Sequence, residues 1–248
     1  MRTFICVLLL LLAAVISPVF WLILLIVKLF SDRASGAIAS GFIRALARIG
    51  RFVIGIKMHV DGADNIPKDR AVVFALNHRS IFDIVLTYPY THGPIGFIAK
   101  KELKKVPIFN VWLWFAHCLF LDRKNIREGV KTIKKGVQYV KNGISMGIFP
   151  EGTRNKDREN MTSMAEFHDA SFKLAERPDA PIIPVAIYNS AECFENHKPW
   201  FRPAEVRIKF GAPIVPSELE GRAKKFLGKH VQAIVQEMLN EEDEEARK

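Results

Sequence analysis

An α/β fold is what this sequence predicts: a mixed, mostly buried sheet flanked by helices, preceded by an N-terminal membrane helix or helical hairpin. Three observations carry the prediction. From Phe4 to Val27 there is no charged residue, a run longer than the ~18 apolar residues that mark a membrane helix. Beyond residue 70, short apolar runs recur between stretches of helical character. Those runs do not alternate in polarity, as expected of strands buried on both faces rather than one.

The first run is bounded by Arg2 and Lys28. It exceeds the ~7–15 apolar residues of a secretory signal, and Ser31 to Ser35 offers no small-residue cleavage site, so the segment is expected to be retained. Pro18 divides it, which fits one kinked crossing or two short helices dipping into one leaflet. Lys28, Arg33, Arg44, Arg48, Arg51 and Lys57 follow the run while only Arg2 precedes it. Basic residues favour the cytoplasmic side, so the bulk of the chain is expected there. Between Gly36 and Ile56, Ile38, Phe42, Leu46, Ile49 and Val53 recur at helical spacing with the arginines on another face, the pattern of an interfacial helix.

Strands are predicted at 71–76, 95–98, 118–121, 146–149, 182–187 and 206–210, each bounded by Gly, Pro or Asn or by a polar stretch. Helices are predicted at 81–88, 107–116, 126–142, 166–177 and 217–240. Strand and helix in alternation give a layered α/β arrangement. The expected organisation is an anchor with an interfacial helix at 1–56, one α/β domain at 57–240, and an acidic tail at 241–248. Glu241, Glu242, Asp243, Glu244 and Glu245 are expected not to pack.

Of the 248 residues, 49% are hydrophobic and 25% charged, with a formal net charge of +10 and a pI near 9.6. Such a balance fits nucleic acid, an anionic membrane surface or an anionic substrate. The apolar N-terminus favours the last two, so no nucleic-acid partner is expected. Cys6, Cys118 and Cys193 are odd in number and widely spaced, which points to a reducing compartment and to neither a disulfide framework nor a metal site.

Five places could carry chemistry. Asn77-His78-Arg79-Ser80-Ile81-Phe82-Asp83 stands where a buried strand gives way to a helix. An imidazole there can take a proton from an alcohol, and a carboxylate five residues on can hold its other ring nitrogen. Ser80 and Asp83 also form a capping box, which would explain both without catalysis; it leaves Asn77, His78 and Arg79 unexplained. Phe149-Pro150-Glu151-Gly152-Thr153-Arg154 breaks a strand into a polar turn, with a glycine for close approach and an arginine suited to phosphate. Leu121-Asp122-Arg123 and Lys100-Lys101 are further basic strand ends. Gly143-Ile144-Ser145-Met146-Gly147 matches the GxSxG pattern of serine hydrolases, but a helix is predicted before it and a strand after it, the reverse of a nucleophile elbow.

Taken together and in this order, the blocks resemble those of the glycerolipid acyltransferase family. NHRSIFD (77–83), AKKEL with KKVP and LFLDR (99–123), FPEGTR (149–154) and PIIPVAI (181–187) match its four blocks, so the resemblance covers about 57–215. It implies transfer of a fatty acyl group from acyl-CoA or acyl-carrier protein to the free hydroxyl of 1-acyl-sn-glycerol-3-phosphate, with no cofactor. It further implies His78 and Asp83 as the catalytic pair, with no acyl-enzyme. Lys100, Arg123, Glu151, Gly152, Thr153 and Arg154 would line the glycerophosphate site, and Pro184 would shape the acyl site. The implied partners are an anionic phospholipid membrane, lysophosphatidate and the acyl donor. The chain departs from the family at Phe167-His168-Asp169-Ala170, where a Phe-Lys-x-Gly stretch is usual, and its 155–166 stretch is longer and more polar. Another lysolipid or glycerol phosphate therefore stays open as acceptor, as does a non-catalytic membrane-tethered binder of anionic lipid or carrier protein.

Overall fold

The computed structural model describes residues 1–122 and 125–248, with residue 126 by its backbone alone. Arg123, assigned above to the acceptor site, lies outside the described residues. Helices α1 (Arg2–Phe30) and α2 (Asp32–Ile54) meet at Ser31, whose side chain accepts a hydrogen bond from the Ala34 N–H at 3.1 Å and so caps the second helix. Next come β1 (Lys57–Asp61), β2 (Val73–Leu76), α3 (Phe82–Thr87), β3 (Ile95–Lys100), α4 (Phe109–Phe115), β4 (Leu119–Leu121), α5 (Ile126–Lys141) and β5 (Ser145–Ile148). The rest comprises α6 (Lys173–Glu176), β6 (Ile182–Tyr188), β7 (Glu205–Phe210), α7 (Gly221–Lys225) and α8 (Leu227–Ala246).

The strands form one sheet in the order β1-β7-β6-β2-β5-β3-β4. All neighbours run parallel except β6 and β7, so the sheet is mixed, as expected. Strand β2 sits in the middle, between β5 and β6. Side chains alternate across a strand: Phe74 and Leu76 join one apolar layer, Val73 and Ala75 the other. Both faces of β2 are therefore dry, which is why its sequence is apolar throughout. Because β2, β3, β5 and β6 run the same way, the loops that follow them gather along one edge, where open α/β sheets place their ligands.

Strand β1 escaped prediction. It is a half-exposed edge strand whose residues Lys57-Met58-His59-Val60-Asp61 alternate in burial, so it contains no apolar run. The helix predicted at 166–177 is cut to Lys173–Glu176 behind a 3₁₀ turn at Asp169–Phe172. Tertiary bonds claim the start of that segment: the Phe167 N–H donates to Gln232 Oε1 and the His168 N–H to Pro150 O, both at 3.0 Å. The acidic tail is also corrected. Helix α8 continues to Ala246, and its acids fold over β7, with Glu242 and Glu245 on Arg207, Glu241 on Lys209, and Asp243 accepting from the Tyr188 hydroxyl. Paired basic residues on the neighbouring strand turn a solvated end into a packed one.

Helix α1 is the one helix among the described residues long and apolar enough to cross a membrane. It is tied to the body at several points along its length. Thr3 Oγ1 accepts from the Phe201 N–H at 2.9 Å, Ser17 Oγ from the Trp112 indole at 2.8 Å, and Leu24 O from the Ser35 hydroxyl at 3.0 Å. Helix α2 keeps Ile38, Ile49 and Phe52 exposed. Its arginines do not simply face outward: Arg44 and Arg48 donate to the carbonyls of Gly93 and Pro89, and Arg51 to the Tyr90 hydroxyl. The basic face is thus stitched to the turn after α3.

Candidate active site

The site begins where β2 runs out. Asn77 continues the sheet with its side chain: its amide donates to Ile187 O at 2.9 Å and accepts from the Ile187 N–H at 2.7 Å. This mimicry of a backbone ladder fixes the chain just before it turns into α3. His78 comes next, its ring stacked on Phe149 with centroids 3.9 Å apart. Its Nδ1 lies 2.8 Å from Asp83 Oδ2.

Asp83 is fully buried, and each hydrogen bond of its carboxylate is with a donor. Oδ2 also accepts the N–H groups of Arg79 (2.8 Å) and Ser80 (2.9 Å), and Oδ1 accepts the Ser190 hydroxyl at 2.5 Å. An ionised carboxylate only accepts hydrogen bonds, so His78 Nδ1 carries a proton, and in the neutral ring the lone pair is then on Nε2. That is the tautomer a general base requires. The capping box is half formed, since Asp83 Oδ2 accepts the Ser80 N–H while Ser80 Oγ accepts from the Phe82 N–H rather than from Asp83, and the same Asp83 oxygen also reaches the imidazole.

The second motif braces the first from behind. Glu151 was expected to line the acceptor site; instead its carboxylate is buried, with Oε1 accepting the His78 N–H at 2.6 Å and Oε2 the Ala165 N–H at 2.8 Å. Burial raises the Glu151 carboxyl above its ordinary value, and those two N–H groups oppose the rise. Its role is to hold backbone, and an anion so placed does not bind phosphate. Gly152 adopts φ 73°, a left-handed conformation that favours glycine, beside the His168 ring. Thr153 is exposed and Arg154 is 40% exposed. Both stand at the open edge of the sheet.

Arg154 Nη1 donates to Glu195 Oε1 at 2.9 Å. The same carboxylate accepts the Ile81 N–H at 2.9 Å and the Ser80 hydroxyl. Arg154 is thereby brought to the His78 block through Glu195. Lys100 ends β3 at the same edge, its side chain 62% exposed with Glu102 Oε1 3.6 Å away. Pro184 is not with them. It pairs with Ala75 inside β6, three residues before the strand reaches Ile187, and packs on Gly211. Its place is in the sheet rather than in a lining.

Sequence reasoning missed Ser190 and Glu195, which lie 107 and 115 residues from their partners Asp83 and Ser80. It also missed the use of Arg79. That side chain is buried, and its guanidinium donates to the carbonyls of Ser163 and Asp157. The Asn155 N–H returns a bond to His78 O at 2.7 Å. The unusual 155–166 stretch is therefore a loop folded against the catalytic turn.

Neither Ser145 nor a cysteine is presented as an alternative nucleophile among the described residues. Ser145 opens β5, is buried and accepts the Val72 N–H at 3.2 Å, so it is part of the sheet and not an elbow. The cysteines are free and buried, and burial pushes the Cys193 thiol up to about 12.

Comparison with known proteins bears on the family and the fold. The model of the family described as Acyltransferase matches residues 57–188. Among curated relatives, the 1-acyl-sn-glycerol-3-phosphate acyltransferase of Borreliella burgdorferi is 34% identical over 152 residues, which is 61% of this chain and 59% of that protein. A probable 1-acyl-sn-glycerol-3-phosphate acyltransferase of Mycoplasma pneumoniae is 29% identical over 66% of this chain and 64% of its own length. The chain thus spans about three fifths of the length of these relatives. The crystal structure of the 1-acyl-sn-glycerophosphate acyltransferase PlsC from Thermotoga maritima superposes with a TM-score of 0.76 at 26% identity, covering 98% of each chain. With more than half of its residues matched by the family's model and its fold shared from end to end with a solved relative, the chain belongs to the Acyltransferase family.

Proposed function

We propose that the protein transfers a fatty acyl group from a thioester donor, acyl-CoA or acyl-carrier protein, to the free hydroxyl of 1-acyl-sn-glycerol-3-phosphate, giving phosphatidate. The observation that carries this is the buried Asp83 carboxylate on His78 Nδ1, which leaves Nε2 as the ring nitrogen to act as base. His78 Nε2 takes the proton of the acceptor hydroxyl as its oxygen attacks the thioester carbonyl. The carbon–sulfur bond breaks, and the imidazolium returns the proton to the leaving thiolate. Asp83 keeps the ring oriented and stabilises the imidazolium while it exists. Arg154, Thr153 and Lys100 receive the acceptor's phosphate at the same edge, with Arg123 as a fourth contributor and Gly152 shaping the turn. The relatives' names support lysophosphatidate as acceptor.

The exposed apolar surface of α1 and α2 rests in an anionic phospholipid membrane, with the sheet domain on the cytoplasmic side. The ties of α1 at Thr3, Ser17 and Leu24 support a helical pair that lies along the body over a lone crossing. Lipid acceptor and active-site edge then share one interface.

Purified protein in phospholipid vesicles, given labelled acyl-CoA or acyl-carrier protein and a panel of lysophosphatidate, lysophosphatidylcholine, lysophosphatidylglycerol and glycerol 3-phosphate, tests this directly. Phosphatidate should be the principal product. Preference for another acceptor would reassign the substrate, and absence of any acylated product would remove the activity.

A further inference from the structure

We propose that Glu195 is a positioning residue that sets the distance and angle between the base and the phosphate grip; this rests on the acyl-transfer function proposed above. Glu195 follows β6 in a short 3₁₀ turn, and its side chain is 2% exposed. A carboxylate so buried needs donors. It has three from two separate motifs: the Ser80 hydroxyl and Ile81 N–H from the turn that carries His78, and Arg154 Nη1 from the turn after β5. One side chain therefore bridges the two strand ends between which the acceptor would lie.

The consequence lies in the shape of the guanidinium. It is planar with five N–H donors in fixed directions, so anchoring Nη1 fixes the plane of the whole group. The side chain remains 40% exposed, leaving its other donors available to a phosphate. An arginine already held in place loses less conformational freedom on binding than a free one. Glu195 is itself pinned by Ser80 and Ile81, so a phosphate joins the pair without displacing the carboxylate.

The experiment uses full-length enzyme in phospholipid vesicles, with wild type, Glu195→Gln and Glu195→Ala compared on lysophosphatidate and acyl-CoA. Loss of one oriented, charge-assisted contact should raise the acceptor KM about tenfold or more while kcat and the donor KM stay within about twofold. Glu195→Gln, of equal size, guards against loss of the fold: its one oxygen can still take the place of Oε1, which accepts both the Ile81 N–H and Arg154, while the charge that strengthens the arginine contact is removed. Added to Arg154→Ala, Glu195→Gln should raise the acceptor KM no further. An unchanged acceptor KM overturns the proposal. So does a lowered one, which would make Glu195 a competitor of the phosphate. A fall in kcat with equal shifts in both KM values would make the role purely structural. Wild-type enzyme that makes no phosphatidate would instead overturn the functional assignment, and the proposal with it.

Discussion

The two halves of the site are built to opposite standards. Around His78 and Asp83, every oxygen of the buried carboxylate is taken, the ring is stacked on Phe149, and the backbone is held by Glu151 and Asn155. Across the edge, Lys100, Thr153 and Arg154 project toward solvent, and of these only Arg154 is anchored to a buried group. The chemical half is preorganised, as a step that must cost little reorganisation requires. The binding half is open, as the proposed receipt of a lipid headgroup requires. Damage to the first should therefore appear in kcat, and damage to the second in the acceptor KM.

The largest expected effect is that of His78→Ala, a loss of about 10²–10⁴ in kcat with the fold retained, checked by initial rates and thermal unfolding. Asp83→Asn should follow closely. It offers an amide where four donors converge, and a loss of about 10²-fold in kcat with little change in acceptor KM is the outcome that keeps the two halves distinct. Arg154→Ala should do the reverse, raising the acceptor KM about tenfold or more with kcat nearly unchanged. Ser190→Ala removes one hydroxyl from Asp83 and leaves the other donors in place. About a tenfold loss in kcat is expected, the scale of one hydrogen bond to a charged group.

The smallest effect lies outside both halves. His117 is buried beside Asp32, and desolvation, with Lys28 and Lys135 adding to it, lowers its pKa from 6.5 to about 4. Between those values the unfolded chain binds the extra proton, so stability is lost as pH falls from about 6.5 toward 4. His117→Asn tolerates the local φ of 57° and should flatten that pH dependence. The difference should be a few degrees in Tm, since about 1 kcal/mol moves a chain of this size by roughly 2–4 °C.

What the sequence made legible was local. His78 and Asp83 fall within one turn, and strands such as 73–76 announce themselves because burial on both faces leaves no polar residue in them. Ser190 and Glu195 could not be read, since nothing near them in the chain refers to Asp83 or Arg154; only the β6–β2 pairing brings them there. Glu151 was misassigned for a related reason. A motif reports that a carboxylate matters but not whether it faces substrate or backbone. Likewise, the acids of α8 read as a solvated end because Arg207 and Lys209, which pair with them, lie more than thirty residues earlier.

The most direct test takes His78→Ala, Asp83→Asn and the double variant through the same assay of phosphatidate formation in vesicles. If Asp83 acts only by orienting and charging the imidazole, the double variant should be no slower than His78→Ala alone. Losses that multiply, or a folded His78→Ala enzyme with wild-type turnover, would show that the two residues do not work as one base.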